Sequence, residues 1–279
     1  MLHAYWKKYT LQFKQPSGTS RGILRTKDAW FIFLQDTDVP EIIGIGECGL
    51  LKGLSIDDRP DYEQQLQAVC ERIGEMDYWL TEGLVEFPSI HFGLEIARRD
   101  MMAKGSKELF SSDFLSKGQP IPINGLIWMG EKSFMFEQIK KKLEEGFDCI
   151  KLKIGAIDFQ EELDLLQYIR QQFSATDIEI RVDANGAFAP QEALEKLKQL
   201  SKFQLHSIEQ PIRPRQWEAM AALCEQSPLP IALDEELIGI FHKAEKIALL
   251  NTIRPQYLIF KPSFIGGYSG TQELSLIHI

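Results

Sequence analysis

The chain has 279 residues, enough for one large or two ordinary domains around a substantial core. An apolar share of 44%, a charged share of 25% and a net charge of −9 describe a globular chain that repels nucleic acid and anionic membrane. No basic stripe argues otherwise, and no apolar run approaches the ~20 residues a membrane helix needs.

The opening residues LHAYWKKYTLQF alternate in polarity and carry Lys7 and Lys8, with Lys14 just beyond, in place of a signal peptide's apolar core. The four cysteines, Cys48, Cys70, Cys149 and Cys224, are scattered and form no CxxC, so reduced thiols and a cytoplasmic location are expected. Residues 2–14 and 22–35 are predicted strands, joined by the loop QPSGTSRG. A third strand is predicted over Glu41–Cys48. Helices follow, one opening at Pro60 with Leu66, Val69, Cys70 and Ile73 at helical spacing, one over Ser89–Lys104. A sheet followed by helices predicts an α+β unit over residues 1–115.

From residue 116 the pattern alternates. Strands are predicted near 121–128, 148–154, 178–183, 206–209, 229–233 and 257–261. Helices are predicted near 132–146, 158–173, 190–201, 214–226 and 242–250. Six βα repeats of this length, with no GxGxxG after the first strand, predict an α/β fold of the TIM-type (β/α) barrel class over 116–279. The charged strand ends are the functional signal. Lys151 and Lys153 close CIKLKIG, Asp183 closes IEIRVDAN, Glu209 closes HSIEQP, Asp234 closes PIALDE and Lys261 closes YLIFKP. In a parallel barrel those ends share one face, which carries the chemistry. Residues i and i+2 of a strand point the same way, so Lys151 faces with Lys153, and Arg181 with Asp183.

Any one of these groups could be a structural ion pair; six on successive strand ends point to an active site. Three carboxylates with open positions suit Mg²⁺ before Zn²⁺, with Mn²⁺ a substitute. His206, on the opposite face from Glu209, is expected to be packed or exposed. His3, His91, His242 and His278 carry no ligand spacing. A cation at the acids can bind a substrate carboxylate and stabilise charge as an α-proton leaves. A neutral lysine can take that proton, and the charge of Lys151 one pleat away favours the neutral form of Lys153.

KLK, VDAN, IEQP, LDE and FKP together resemble the enolase superfamily, in the branch with lysines on the second and sixth barrel strands. The resemblance covers Leu2 to about Glu273 and includes an N-terminal capping domain. A Lys or His base working with Mg²⁺ on an ene-diolate is the general pattern of that superfamily. Within it, PSGTSRG, RVDANGAF, SIEQPI, ALDEELIG and IFKPSFIGG look most like the o-succinylbenzoate synthase family. The resemblance implies dehydration of a small-molecule carboxylate, 2-succinyl-6-hydroxy-2,4-cyclohexadiene-1-carboxylate, in menaquinone biosynthesis. It implies Lys153 as base and then acid, Lys261 on the other face of the substrate, and Lys151 tuning Lys153. Mg²⁺ on Asp183, Glu209 and Asp234 would hold the ene-diolate. A loop spanning Ser17 and Arg21 would close over the site, and Ser263 and Gly266 would position the succinyl tail.

The 159 residues from Ile121 onward hold six of the eight units of a closed barrel, and the closing LSLIHI looks unlike the family. The expectation is therefore a barrel incomplete at its C-terminal end, unstable or inactive as it stands. A dipeptide epimerase or N-succinylamino-acid racemase, using Lys153 and Lys261 as opposed bases, is the alternative within the chemistry. A non-catalytic protein on a degenerate barrel is the alternative from another class.

Overall fold

The computed structural model describes residues 1–19 and 22–279, and side chains outside 15–21. Three antiparallel strands begin the chain: β1 (Leu2–Thr19), β2 (Gly22–Asp36) and β3 (Ile43–Cys48), in the order β1-β2-β3. The stretch expected to be a loop continues the hairpin instead. After a register shift between Gln12 and Ser17, Ser17 pairs with Leu24 and Thr19 with Gly22. The turn chemistry of PSG is thus absorbed into an irregularity of one long ribbon rather than a loop. Arg21, one of the expected lid residues, lies outside the described residues, as does the side chain of Ser17.

Helices α1 (Tyr62–Glu71), the single turn α2 (Met76–Tyr78) and α3 (Pro88–Met102) cover one face of that sheet, and the short α4 (Asp113–Lys117) leads out of it. Ile32 and Leu34 from β2 meet Leu66 and Val69 from α1 and Ile90, Leu94 and Ala97 from α3 in a core of their own. The glycines of β3 have a packing role. A Cβ at Gly46 would lie 1.8 Å from the Gly93 carbonyl oxygen, so α3 rests on the strand backbone itself.

The loop after β3 is tied down by a buried acid. Asp57 Oδ2 accepts from the Ser89 backbone N–H at 2.9 Å and the Ser89 hydroxyl at 2.6 Å, holding the first turn of α3, while Tyr62 reaches the same hydroxyl at 2.7 Å. Burial pushes the Asp57 carboxyl up to about 6, against the pull of Ser89 and with a small push from Asp58. A folded value above the ordinary 3.8 means that ionisation costs the folded state. That cost is absent below about pH 4 and grows as pH rises through 6. Relative to the parent, Asp57→Asn should therefore gain up to about 3 kcal/mol of stability between pH 4 and pH 8, read by urea unfolding at both ends.

Six parallel strands follow: β4 (Gly125–Ile127), β5 (Cys149–Lys153), β6 (Glu179–Asp183), β7 (Ser207–Glu209), β8 (Ile231–Leu233) and β9 (Tyr257–Leu258), paired in chain order. The connecting helices are α5 (Lys132–Glu144), α6 (Phe159–Gln172), α7 (Pro190–Ser201), α8 (Trp217–Gln226) and α9 (Lys243–Ile253), with α10 (Pro262–Ile265) and α11 (Gly267–His278) after β9. Ile150, Leu152, Ile180, Val182 and Ile208 face the helices, where Leu166, Ile169, Leu197 and Leu200 complete a second core. This is the expected barrel architecture beneath an N-terminal cap. Among the described residues β4 and β9 stand at the two edges.

All six barrel strands are shorter than predicted, β4 and β9 most of all. Pro120 and Pro122 cannot donate to a ladder, so β4 begins only at Gly125. β9 holds two residues, and Lys261 sits past it as the N-cap of α10. The closing LSLIHI continues α11, with Leu274 buried and Ile277 packed against the barrel core.

Candidate active site

Parallel register sets the site. Lys153 lies opposite Asp183, and Asp183 opposite Glu209, on one rung across β5, β6 and β7. Glu209 lies opposite Ala232, two residues before Asp234. Since Leu152, Val182 and Ile208 are committed to the helix side, their neighbours are forced to the inner side, and three carboxylates meet. Asp183 is fully buried and Asp234 and Glu209 nearly so.

Each carboxylate takes a lysine. Lys153 Nζ lies 2.5 Å from Asp183 Oδ2 and 2.9 Å from Asn185 Oδ1. Lys151 pairs with Glu209 and stands 3.2 Å from Asp183, and Lys261 pairs with Asp234 and stands 4.0 Å from Glu209. All six predicted strand-end residues therefore gather at one point. Burial alone would raise Asp183, but the ammonium groups of Lys151 and Lys153 outweigh it and hold the carboxyl below its ordinary range. At Glu209 burial and the charge of Asp183 win over Lys151, so its carboxyl is pushed well up. Lys151 would be lowered by burial, yet Asp183 and Glu209 raise it. It is a firmly charged neighbour for Lys153.

The donor set fits a hard cation. Among the described residues Glu209 Oε1 is buried with no hydrogen-bond partner, and so is Oε2 of the adjacent Glu235. Among the described residues no three acid, histidine or cysteine groups already form a metal cage, because the lysines stand between the carboxylates. Orphaned carboxylate oxygens beside other buried carboxylates fit an oxygen-preferring divalent ion. An Asp/Glu set without histidine or thiolate favours Mg²⁺ over softer metals.

Several residues of the site were not read from the sequence. Asn185, two residues past Asp183, accepts from Lys153 and donates to Glu235 Oε1 at 3.0 Å. Gln210 Oε1 accepts from the backbone N–H groups of Asp234 and Glu236 at 3.2 Å, and Gln210 Nε2 donates to Glu236 Oε2 at 3.3 Å. Glu236 also accepts from Arg215 N at 2.7 Å and Trp217 Nε1 at 3.0 Å. These bonds clamp the turns that carry Glu209 and Asp234. The available signal was position: each lies one or two residues beyond a strand-end acid, where chain leaves the sheet and polar groups need partners.

The remaining candidates follow Lys261 and have neighbours of their own. Ser263, in α10, sits beside Gly49, where a Cβ would come within 3.5 Å of the Ser263 Cβ. Gly266 ends α10 in a left-handed conformation, φ +88°, and lines a cavity of about 250 Å³ with Trp79, His91 and Lys246 between cap and barrel. Among the described residues neither bonds any of the six charged side chains. His206 stacks on Tyr257 with ring centroids 4.8 Å apart and bonds Ser207 Oγ, as a packed histidine.

The Enolase C-terminal domain-like family model matches residues 135–277, and the chain belongs to the enolase superfamily. Within that class, it is 46% identical to the o-succinylbenzoate synthase of Desulfotalea psychrophila, over 94% of this chain and 79% of that protein. The crystal structure of MenC from the same organism superposes with a TM-score of 0.86 at 40% identity, covering all of this chain and 84% of that one. A dipeptide epimerase from Cytophaga hutchinsonii, solved with Mg and the dipeptide D-Ala-L-Val, superposes at 0.79 with 18% identity, over 99% of this chain and 76% of that one. That last likeness is one of fold alone.

Proposed function

We propose that this chain is an o-succinylbenzoate synthase, a lyase that removes water from 2-succinyl-6-hydroxy-2,4-cyclohexadiene-1-carboxylate in cytoplasmic menaquinone biosynthesis. Residues 1–115 act as the cap and 116–279 as the barrel. One observation carries the reading: three buried carboxylates and three lysines, from five strand ends, meet at one point in a chain 46% identical to such a synthase.

Asp183, Glu209 and Asp234 are the residues that would hold Mg²⁺, as suggested by their oxygen-only donor set and the orphaned Glu209 Oε1. Bound there, the ion supplies positive charge beside the substrate carboxylate. Lys153 acts as the base once its amine is neutral and free of Asp183. It takes the proton alpha to the carboxylate, and the electron pair left behind expels the ring hydroxyl. Returning the same proton to that hydroxyl releases water and leaves the ring aromatic, so a single lysine serves both steps. Lys151, held by Glu209 and Asp183, keeps a positive charge beside Lys153. Asn185 aims the Lys153 amine. Lys261, held by Asp234, places a positive charge on the other side of the substrate. Ser17, Arg21, Ser263 and Gly266 are proposed to contact the substrate's periphery.

The test is to incubate the purified chain with Mg²⁺ and either the cyclohexadiene carboxylate or a panel of dipeptides such as L-Ala-L-Glu. Dehydration without epimerisation supports the synthase. Epimerisation at comparable kcat/KM without dehydration overturns it.

A further inference from the structure

A buried acid of the barrel away from the strand-end cluster has no part in the mechanism. Glu162, on the first turn of α6, is 2% exposed, yet no lysine, arginine or histidine pairs with it among the described ion pairs. Its Oε1 accepts the backbone N–H of Gly155 at 2.5 Å. The N–H groups of Ala156 and Ile157 also face the carboxylate, while among the described residues Oε2 has no partner of good hydrogen-bond geometry. Burial pushes the carboxyl up to about 7, against the pull of those three backbone groups and of the charge on Lys196 of α7. Lys196 itself is engaged elsewhere, 2.7 Å from Glu192.

An unpaired buried carboxylate is a poor way to stabilise a turn, because desolvation outweighs what backbone donors return. Its location gives it another use. Gly155 is two residues past Lys153, at φ +92°, and a Cβ there would lie 2.4 Å from the Ala187 Cβ. Ile154 N donates to the Asp183 carbonyl at 2.9 Å. The Gly155–Ile157 turn is thus gripped on one side by the turn that follows Asp183 and on the other by Glu162. Whatever moves Gly155 moves the end of the strand that carries Lys153.

We propose that Glu162 is a positioning residue for Lys153: its buried carboxylate holds the turn after β5 so that the amine stays in line with Asp183 and the substrate carbon. The inference rests on Lys153 as the base. A misplacement on the order of 1 Å at a reacting group can cost about 10²-fold in rate, and Glu162 reaches Lys153 only through the turn it holds.

Glu162→Gln keeps one acceptor oxygen but replaces the other, and the charge, with an NH₂ group, and Glu162→Ala removes the acceptor altogether. In the full chain with Mg²⁺, both should lower kcat by about 10- to 100-fold with KM within about twofold. In Glu162→Gln the melting temperature should stay at or above the parent's, since an unpaired buried charge is gone. Amide hydrogen exchange should quicken at Gly155–Ile157 and not in the rest of α6. Unchanged kcat in either variant, or a loss of kcat matched by loss of melting temperature or by a rise in KM, would overturn the proposal. Should Glu162→Ala fail to fold, Glu162→Gln and the exchange measurement decide. Lys153→Ala, run in parallel, separates the two claims: full turnover there would sink Lys153 as base, while the exchange at Gly155–Ile157 would still read Glu162's hold on the turn.

Discussion

Replacing Lys153 by Arg is expected to abolish turnover almost as fully as replacing it by Ala, each by at least about 10³-fold, within the usual worth of a positioned acid or base. The comparison separates two roles of the same amine. Arg can keep an ion pair with Asp183, which Lys153 makes at 2.5 Å, but a guanidinium does not lose its proton at working pH. Were Lys153 only a structural counter-ion, Arg would restore most of the rate. The measurement is kcat for both variants, with circular dichroism to establish folding. More than about a tenth of the parent kcat in Lys153→Arg would rule out the base.

The second large effect is expected at Glu209. A ligand that binds only the folded chain at 100 times its Kd adds about 2.7 kcal/mol of stability, worth roughly 5 °C or more of melting temperature for a chain of this size. Saturating Mg²⁺ should therefore raise the parent's melting temperature by about that much, and Glu209→Gln should lose nearly all of the rise. The pH dependence has a definite sign. Burial and the charge of Asp183 hold the Glu209 carboxyl well above its ordinary range, so cation binding must displace a proton near neutral pH. Mg²⁺ affinity should then rise toward tenfold per pH unit through the acidic range and level off once Glu209 is ionised in the free protein. Calorimetric titration at three pH values reads this directly. A flat profile, or an undiminished Mg²⁺ shift in Glu209→Gln, would remove Glu209 from the ion's ligands.

Both effects depend on residues that stand out in the chain itself. Lys151, Lys153, Asp183, Glu209, Asp234 and Lys261 were legible because each ends a short apolar run at a nearly constant interval. In a parallel sheet, interval and parity together place them: Leu152, Val182 and Ile208 had to enter the core, which turned their neighbours inward. The cap was legible for a similar reason, since the alternation over Trp30–Leu34 and the helical spacing of Leu66, Val69 and Cys70 each admit one buried face.

What the chain's order of residues determined, then, is the fold class and the identity of the charged groups, because hydrophobic periodicity is local and burial follows from it. Only the tertiary structure decided how those charges are balanced. It put a lysine on each carboxylate, left Glu209 Oε1 without a donor among the described residues, joined Lys153 to Glu235 through Asn185, and set Glu162 beneath the turn after β5. It also drew residues 15–19 into the hairpin and cut β9 to two residues ahead of Lys261. Partners of this kind come from separate strands and turns, so their pairing is fixed by register and packing across the sheet, for which no local pattern of residues carries a signal.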